Sequence, residues 1–147
     1  MDHQDLTARR FGGLERLYGV SGAKQIRDAH IAIVGIGGVG SWAAEALARS
    51  GVGKLTLIDF DHIAESNINR QIHALDDTLG VSKVLAMQQR IAHINPQCVV
   101  VCTDEFVTPE NWPMVLNAEV DAVIDACDQI KAKTAMAAWA IDTKTIF

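Results

Sequence analysis

Two kinds of apolar pattern alternate along the chain. Short, almost unbroken β-rich runs occur at 30–35 (HIAIVG), 54–59 (KLTLID), 98–103 (CVVVCT) and 120–126 (VDAVIDA), and each reads as a buried strand. Between them lie segments rich in helix formers with apolar residues at helical spacing. These are 40–51 (GSWAAEALARSG), stopped by Gly51; 82–95 (SKVLAMQQRIAHIN), with Ser82 placed to cap it and Pro96 just beyond; and 131–141 (KAKTAMAAWAI). A short helix is expected over 109–118 (PENWPMVLNA), interrupted early by Pro113. Strand–helix alternation predicts an α/β, Rossmann-like, mostly parallel sheet with helices on both faces. It would occupy residues 30–147, after an N-terminal helical segment over 1–29. A further strand begins at 144–147 (KTIF). That predicts either a short edge strand or, as the favoured expectation, that the chain is the front part of a longer polypeptide.

Composition narrows this. The 147 residues are 49% hydrophobic, enough for one domain with a core. With 18 acidic and 13 basic residues the net charge is −5, which argues against general adhesion to nucleic acid. Arg9, Arg10, Arg16, Lys24 and Arg27 leave room for a local RNA-docking patch, with a solvated helix face as the competing reading. The three cysteines, Cys98, Cys102 and Cys127, form no C-x-x-C pair. Neither a disulfide framework nor a zinc site is therefore expected, and all three read as small buried hydrophobes. His30, His62, His73 and His93 are scattered and read as structural or surface residues; Trp42, Trp112 and Trp139 default to the core. The start, MDHQDLTARRF, lacks the apolar centre of a signal peptide, and a cytoplasmic setting is expected.

The candidate chemistry begins at Gly35-x-Gly37-x-x-Gly40, directly after a strand and opening a helix. Glycines there permit a tight turn and close approach of backbone to phosphate, and the helix N-terminus adds partial positive charge. Asp59, ending the second strand, stands where a carboxylate would take a ribose hydroxyl. These two features alone fit a nicotinamide dehydrogenase equally well. The following stretch, DFDHIAESNINRQIHAL (59–75), adds Asp61, Asn67, Asn69, Arg70 and Gln71. A triphosphate carries enough negative charge to need side-chain cations; Arg70 can fork onto phosphate oxygens and Lys83 can add a point charge. The competing readings are an Arg70 ion pair with Asp76 or Asp77, and a solvated first-turn lysine. In VIDACDQ (123–129), Asp125 and Asp128 sit at the carboxyl end of a strand, the ligand-binding edge of α/β sheets. Asp128 is a candidate magnesium ligand, since magnesium takes few protein carboxylates beside phosphate and water. Its competing role is to cap the helix near Lys131.

In order along the chain, GIGGVG, LIDFD, SNINRQ, GVSK and DACD resemble the ubiquitin-activating-enzyme-like adenylyltransferases of the ThiF, MoeB and HesA type. The resemblance implies Gly38 in the phosphate loop, Asp59 on the ribose, Asn67, Arg70 and Lys83 on phosphates, and Asp128 on Mg2+. It further implies attack of a substrate carboxylate on the α-phosphate of ATP, leaving an acyl-adenylate, in a homodimer with ATP sites near the interface. RRFGGLERLYG (9–19), GSWAAEALARSGVG (40–53), NRQIHAL (69–75) and FVTPEN (106–111) are most similar to the tRNA threonylcarbamoyladenosine dehydratases. Those use ATP to activate the nucleoside's carboxylate, after which intramolecular attack closes a ring. The alternatives are adenylation of a sulfur-carrier protein's terminal glycine, with a sulfur-transfer partner, an NAD-dependent oxidoreductase, or a nucleotide-binding module without catalysis. Gly13 stands where many family members carry a second arginine reaching the partner subunit's ATP site; Arg10 and Arg16 are the substitutes in reach of that role.

Overall fold

The computed structural model describes residues 3–147, and side chains from residue 8 onward; residues 1 and 2 of the expected N-terminal segment lie outside the described residues. The elements in order are α1 (His3–Asp28, two helical pieces separated by a kink at Gly19, φ 73°), β1 (His30–Val34), α2 (Gly40–Arg49), β2 (Lys54–Ile58), α3 (Lys83–Ile94), β3 (Val99–Thr103), β4 (Ala122–Asp125) and α4 (Ile130–Thr143). The four strands form one parallel sheet in the order β3-β2-β1-β4, with Ile33 in register with Leu57 and Ile124. The chain thus has an α/β, Rossmann-like fold. The direction of winding reverses at β1, between β2 and β4, and the carboxyl end of that junction is where such sheets hold ligands.

Each strand is apolar on both faces because both faces are covered. Ile33, Leu55 and Leu57 pack against Ala44 and Ala48 of α2 and Val84, Met87 and Ile91 of α3. Ala32, Val34, Ile58 and Val123 pack on the other side against Trp112, Val115, Leu116 and, from α4, Ala132 and Met136. The expected strand at 144–147 is reduced to one parallel bridge, in which Val123 N donates to Ile146 O at 2.9 Å beside β4. No helix among the described residues is long and apolar enough to cross a membrane.

Several expectations need correction. Residues 109–118 form turns and a single 3-10 turn at Met114–Leu116 rather than an α-helix. Pro113 has no N–H to offer and its ring obstructs the preceding turn, while the Asn111 side chain already accepts from Thr108 N at 2.8 Å. Ser82 precedes α3 as expected, but its hydroxyl makes no capping bond and is buried without a partner. Trp112 and Trp139 meet edge to face at 5.2 Å, whereas Trp42 is 52% exposed and donates Nε1–H to Arg70 O at 2.8 Å. Three of the five N-terminal basic residues are engaged within the fold. Arg10 caps the C-terminus of α3 through His93 O and Ile94 O, Lys24 pairs with Asp28, and Arg27 pairs with Glu15. All three cysteines are free and partly buried; burial pushes the Cys98 and Cys102 thiols up to about 11.

Candidate nucleotide-binding site

The glycine loop joins β1 to α2 under tight steric constraint. Gly35 has φ 91°, and a Cβ there would lie 2.6 Å from Ala126 O; a Cβ on Gly40 would collide with Gly35 O. These two positions accept only glycine without backbone movement. The loop is then held from two sides. Ile36 N donates to Asp59 Oδ2 at 2.7 Å, and Ile36 O receives the Nε2–H of buried His73 at 2.7 Å. α2 starts with no side-chain cap and no acidic residue in its first turn, so its positive end remains available to an anion.

A cavity of about 650 Å³ opens at the mouth of this loop, at the carboxyl ends of β1, β2 and β4. Of the residues picked from sequence, Gly35, Gly37, Gly38, Asp59, Asp61, Asn67, Arg70, Gln71, Lys83 and Asp128 all line it. Gly40 stands behind the lining as a packing glycine. Asn69 is adjacent, its Oδ1 accepting from Arg70 Nη1 at 2.9 Å.

The individual side chains show how the site is built. Arg70 is exposed and its stem crosses Gly38, whose missing Cβ would lie 3.3 Å from Arg70 Cγ. Its guanidinium bonds to Ser66 O and Asn69 Oδ1, not to Asp76 or Asp77. Lys83 is 6% exposed, so it is not a solvated first-turn lysine; its Nζ lies 3.2 Å from Asp61 Oδ2. Burying an ammonium is costly unless a carboxylate partners it, and Asp61 does so here. Asp59 accepts from Ile36 N and, through its other oxygen, from Asp61 N at 2.8 Å, which ties the glycine loop to the segment after β2. Asn67 is buried and accepts from Ala64 N at 2.9 Å. Gln71 is 5% exposed and its Oε1 has no partner, an orphaned acceptor in the cavity wall. Asp128 is exposed at the rim; α4 is preceded by Gln129 without a side-chain cap, so the helix-capping role is not observed. Asp125 instead binds Lys133 Nζ at 2.8 Å and the Cys127 N–H at 3.2 Å, fixing the strip of backbone that faces Gly35.

The sequence pattern did not single out Phe106, which lines the cavity and meets the Phe60 ring at 4.9 Å with the planes tilted by 39°, nor Glu105 and Cys127, which also line it. The available signal was position: Glu105 and Phe106 lie just past the carboxyl end of β3. The site thus combines a glycine-lined helix N-terminus, two cations, an aromatic wall and rim carboxylates, a constellation able to hold a nucleoside polyphosphate.

Comparison with known proteins agrees with this geometry. The model of the ThiF family matches residues 10–147. The tRNA threonylcarbamoyladenosine dehydratase of Escherichia coli (strain K12) is 51% identical over 135 residues, covering 92% of this chain and 50% of that protein. The adenylyltransferase and sulfurtransferase MOCS3 of Drosophila sechellia is 33% identical over 116 residues, covering 79% of this chain and 25% of that protein. The crystal structure of the E. coli dehydratase, TcdA, in complex with ATP superposes with a TM-score of 0.93 at 49% identity, covering 97% of this chain and 58% of that one. The chain spans about half the length of the dehydratases it matches. With the motif order, the parallel sheet and the family model all in agreement, the chain belongs to the ThiF family.

Proposed function

We propose that this chain is the nucleotide-binding part of an ATP-dependent enzyme that converts threonylcarbamoyladenosine in tRNA to its cyclic form through carboxylate adenylation. The observation that carries the reading is the convergence of Arg70, Lys83 and Asp128 on the glycine-lined cavity. The 51% identity to a dehydratase supports the choice of substrate. On this reading the triphosphate lies along Gly37, Gly38 and the N-terminus of α2. Arg70 and Lys83 neutralise phosphate charge, and the free lone pairs of Asp59 accept from a ribose hydroxyl. The substrate carboxylate attacks the α-phosphorus: an O–P bond forms, the bond to the β-phosphate oxygen breaks, and pyrophosphate leaves with the electron pair. A neighbouring group of the same nucleoside then attacks the acyl carbon and expels AMP, so the net change in the nucleoside is loss of water. No protein nucleophile is needed; positioning and charge neutralisation suffice.

Four carboxylates, Asp59, Asp61, Glu105 and Asp128, line the cavity against two cations, Arg70 and Lys83. Asp59 is engaged by backbone amides and Asp61 by Lys83, which leaves Glu105 and Asp128 at the mouth. No cluster of three or more ligating side chains that could hold a metal by itself occurs among the described residues. This donor set suits Mg2+, with Asp128 as the protein ligand and phosphate and water filling the shell. When bound, Mg2+ would supply charge neutralisation on the phosphates. We further propose a homodimer, and a cytoplasmic setting that follows from tRNA as substrate.

The deciding experiment incubates the enzyme, at the length of its relatives, with ATP, Mg2+ and tRNA carrying threonylcarbamoyladenosine. The cyclic nucleoside and AMP are expected. The likeness to MOCS3 favours a second reading, adenylation of a carrier protein. Pyrophosphate exchange stimulated by a small carrier and not by tRNA would select it.

A further inference from the structure

Apart from the nucleotide cavity, the fold holds a second cleft of about 720 Å³, walled by α1, α2, α3 and the 73–78 segment. Three arginines line it, Arg10, Arg49 and Arg90, and Asp77 is the one carboxylate in its lining. Arg10 is bonded to two backbone carbonyls at the C-terminus of α3 and not to a carboxylate. Arg49 and Arg90 share a single carboxylate, that of buried Glu45, at 2.9 and 2.6 Å. Three guanidiniums therefore meet two carboxylates, and each guanidinium has five N–H donors, more than these bonds engage.

His73 also lines this cleft, with 2% exposure. Its Nε2 lies 2.7 Å from Ile36 O. A carbonyl only accepts, so Nε2 carries the proton and Nδ1 is an acceptor. Nδ1 is buried and has no partner. Burial also pushes the His73 pKa down, which keeps the ring neutral and this lone pair available. The cleft thus asks for two things at once: an anion with oxygens for guanidinium forks, and one hydroxyl or N–H donor. A lone carboxylate would meet the first demand only, because it cannot donate. A ribonucleotide meets both through its phosphodiester and its 2′-hydroxyl.

We propose that this cleft holds a phosphodiester segment of an RNA strand, with phosphate on the Arg10, Arg49 and Arg90 guanidiniums and a ribose 2′-hydroxyl donating to His73 Nδ1. The proposal rests on the reading of RNA as substrate and adds where the strand is gripped. It also places the strand one imidazole ring away from Ile36, the residue between Gly35 and Gly37 of the nucleotide loop.

The test uses the 147-residue chain with 15N-labelled histidine. It is titrated with a single-stranded oligoribonucleotide, the oligodeoxyribonucleotide of the same sequence, and inorganic phosphate, while the His73 Nδ1 resonance is followed. RNA is expected to move that resonance and DNA to leave it in place. In parallel, RNA affinity is measured against salt for the parent and for Arg49→Gln, a variant that leaves Glu45 paired with Arg90. The substitution should weaken RNA binding roughly tenfold and lower the salt slope by about 0.7. An unmoved His73 resonance, equal movement with RNA and DNA, the same movement with phosphate alone, or unchanged RNA affinity in Arg49→Gln each overturns the proposal. These readouts need no turnover. Failure of the cleft is therefore distinct from failure of the dehydratase reading, which is judged by nucleoside formation in the longer enzyme.

Discussion

The Lys83 ammonium sits 3.2 Å from the Asp61 carboxylate, the lysine buried and the aspartate 55% exposed at its side chain. Before any ligand arrives, the cation that would meet a phosphate is held inside the cavity wall by a carboxylate that water can reach. A phosphate entering the cavity can then take over Lys83 while Asp61 turns to solvent, which lowers the cost of exchanging one anionic partner for another.

The lysine can therefore be removed without collapse of the fold. Lys83→Met keeps the stem volume and removes the charge. Its melting temperature without ligand should stay near that of the parent. Saturating ATP and Mg2+, at about a hundred times the dissociation constant, should stabilise the parent by about 2.7 kcal/mol, or roughly 5–10 °C for a chain of this size. Most of that shift should be lost in Lys83→Met, and differential scanning fluorimetry reads both numbers.

Glycine substitutions should separate by position. Gly40→Ala forces a Cβ into Gly35 O and should cost about 2–4 kcal/mol in denaturant unfolding, with loss of ATP binding. Gly12→Ala, in α1 with nothing within 4 Å of the added carbon, should stabilise by about 0.5–1 kcal/mol through helix propensity.

Acid sensitivity should fall in two windows. Burial pushes the pKa of His30 and of His73 below the ordinary 6.5, so the unfolded chain binds protons that the folded one refuses. Their contribution is present above pH 6.5 and is lost as pH falls below that value. For Glu45, burial alone would raise the carboxyl, but hydrogen bonds from Arg90 and Arg49 outweigh it and hold the pKa below 4.5. That contribution is present above pH 4.5 and disappears as pH falls through the folded-state value. Urea unfolding from pH 8 to 3 should show both declines. Glu45→Gln should flatten the lower one and, by losing charged hydrogen bonds, cost about 1–3 kcal/mol at neutral pH.

Cysteine chemistry offers a ligand-sensitive probe. Cys127 lines the nucleotide cavity and burial, with the Asp125 side chain, pushes its pKa up; Cys98 and Cys102 lie on or beside β3, away from that cavity. Alkylation at neutral pH should be slow at all three. ATP with Mg2+ should slow it further at Cys127 alone, as peptide mass mapping would record.

The strands were legible because a parallel sheet covered on both sides writes each one as a continuous apolar run, as in HIAIVG and KLTLID. The glycine spacing, Asp59, Lys83 and Asp128 placed the cavity for the same local reason, each lying close to a strand end or a helix start, whereas Arg70 stood out only as the cation of the polar stretch between β2 and α3. What escaped depends on contacts distant in sequence. Trp42 looked like core until its partner proved to be the Arg70 carbonyl, and Glu45 gains its meaning only from Arg90, 45 residues on. Ser82 has the residue type of a cap but its hydroxyl is turned into the interior. Phe106 needed the sheet to be assembled before its side of the cavity existed.

On the proposed reading, Arg70 serves a nucleoside triphosphate during adenylation. The most direct measurement compares cyclic nucleoside formation by the longer enzyme and its Arg70→Ala variant under saturating tRNA. A fall of about a hundredfold or more, with the fold intact, is the predicted result. An Arg70→Ala enzyme that turns over at the parent rate would contradict it.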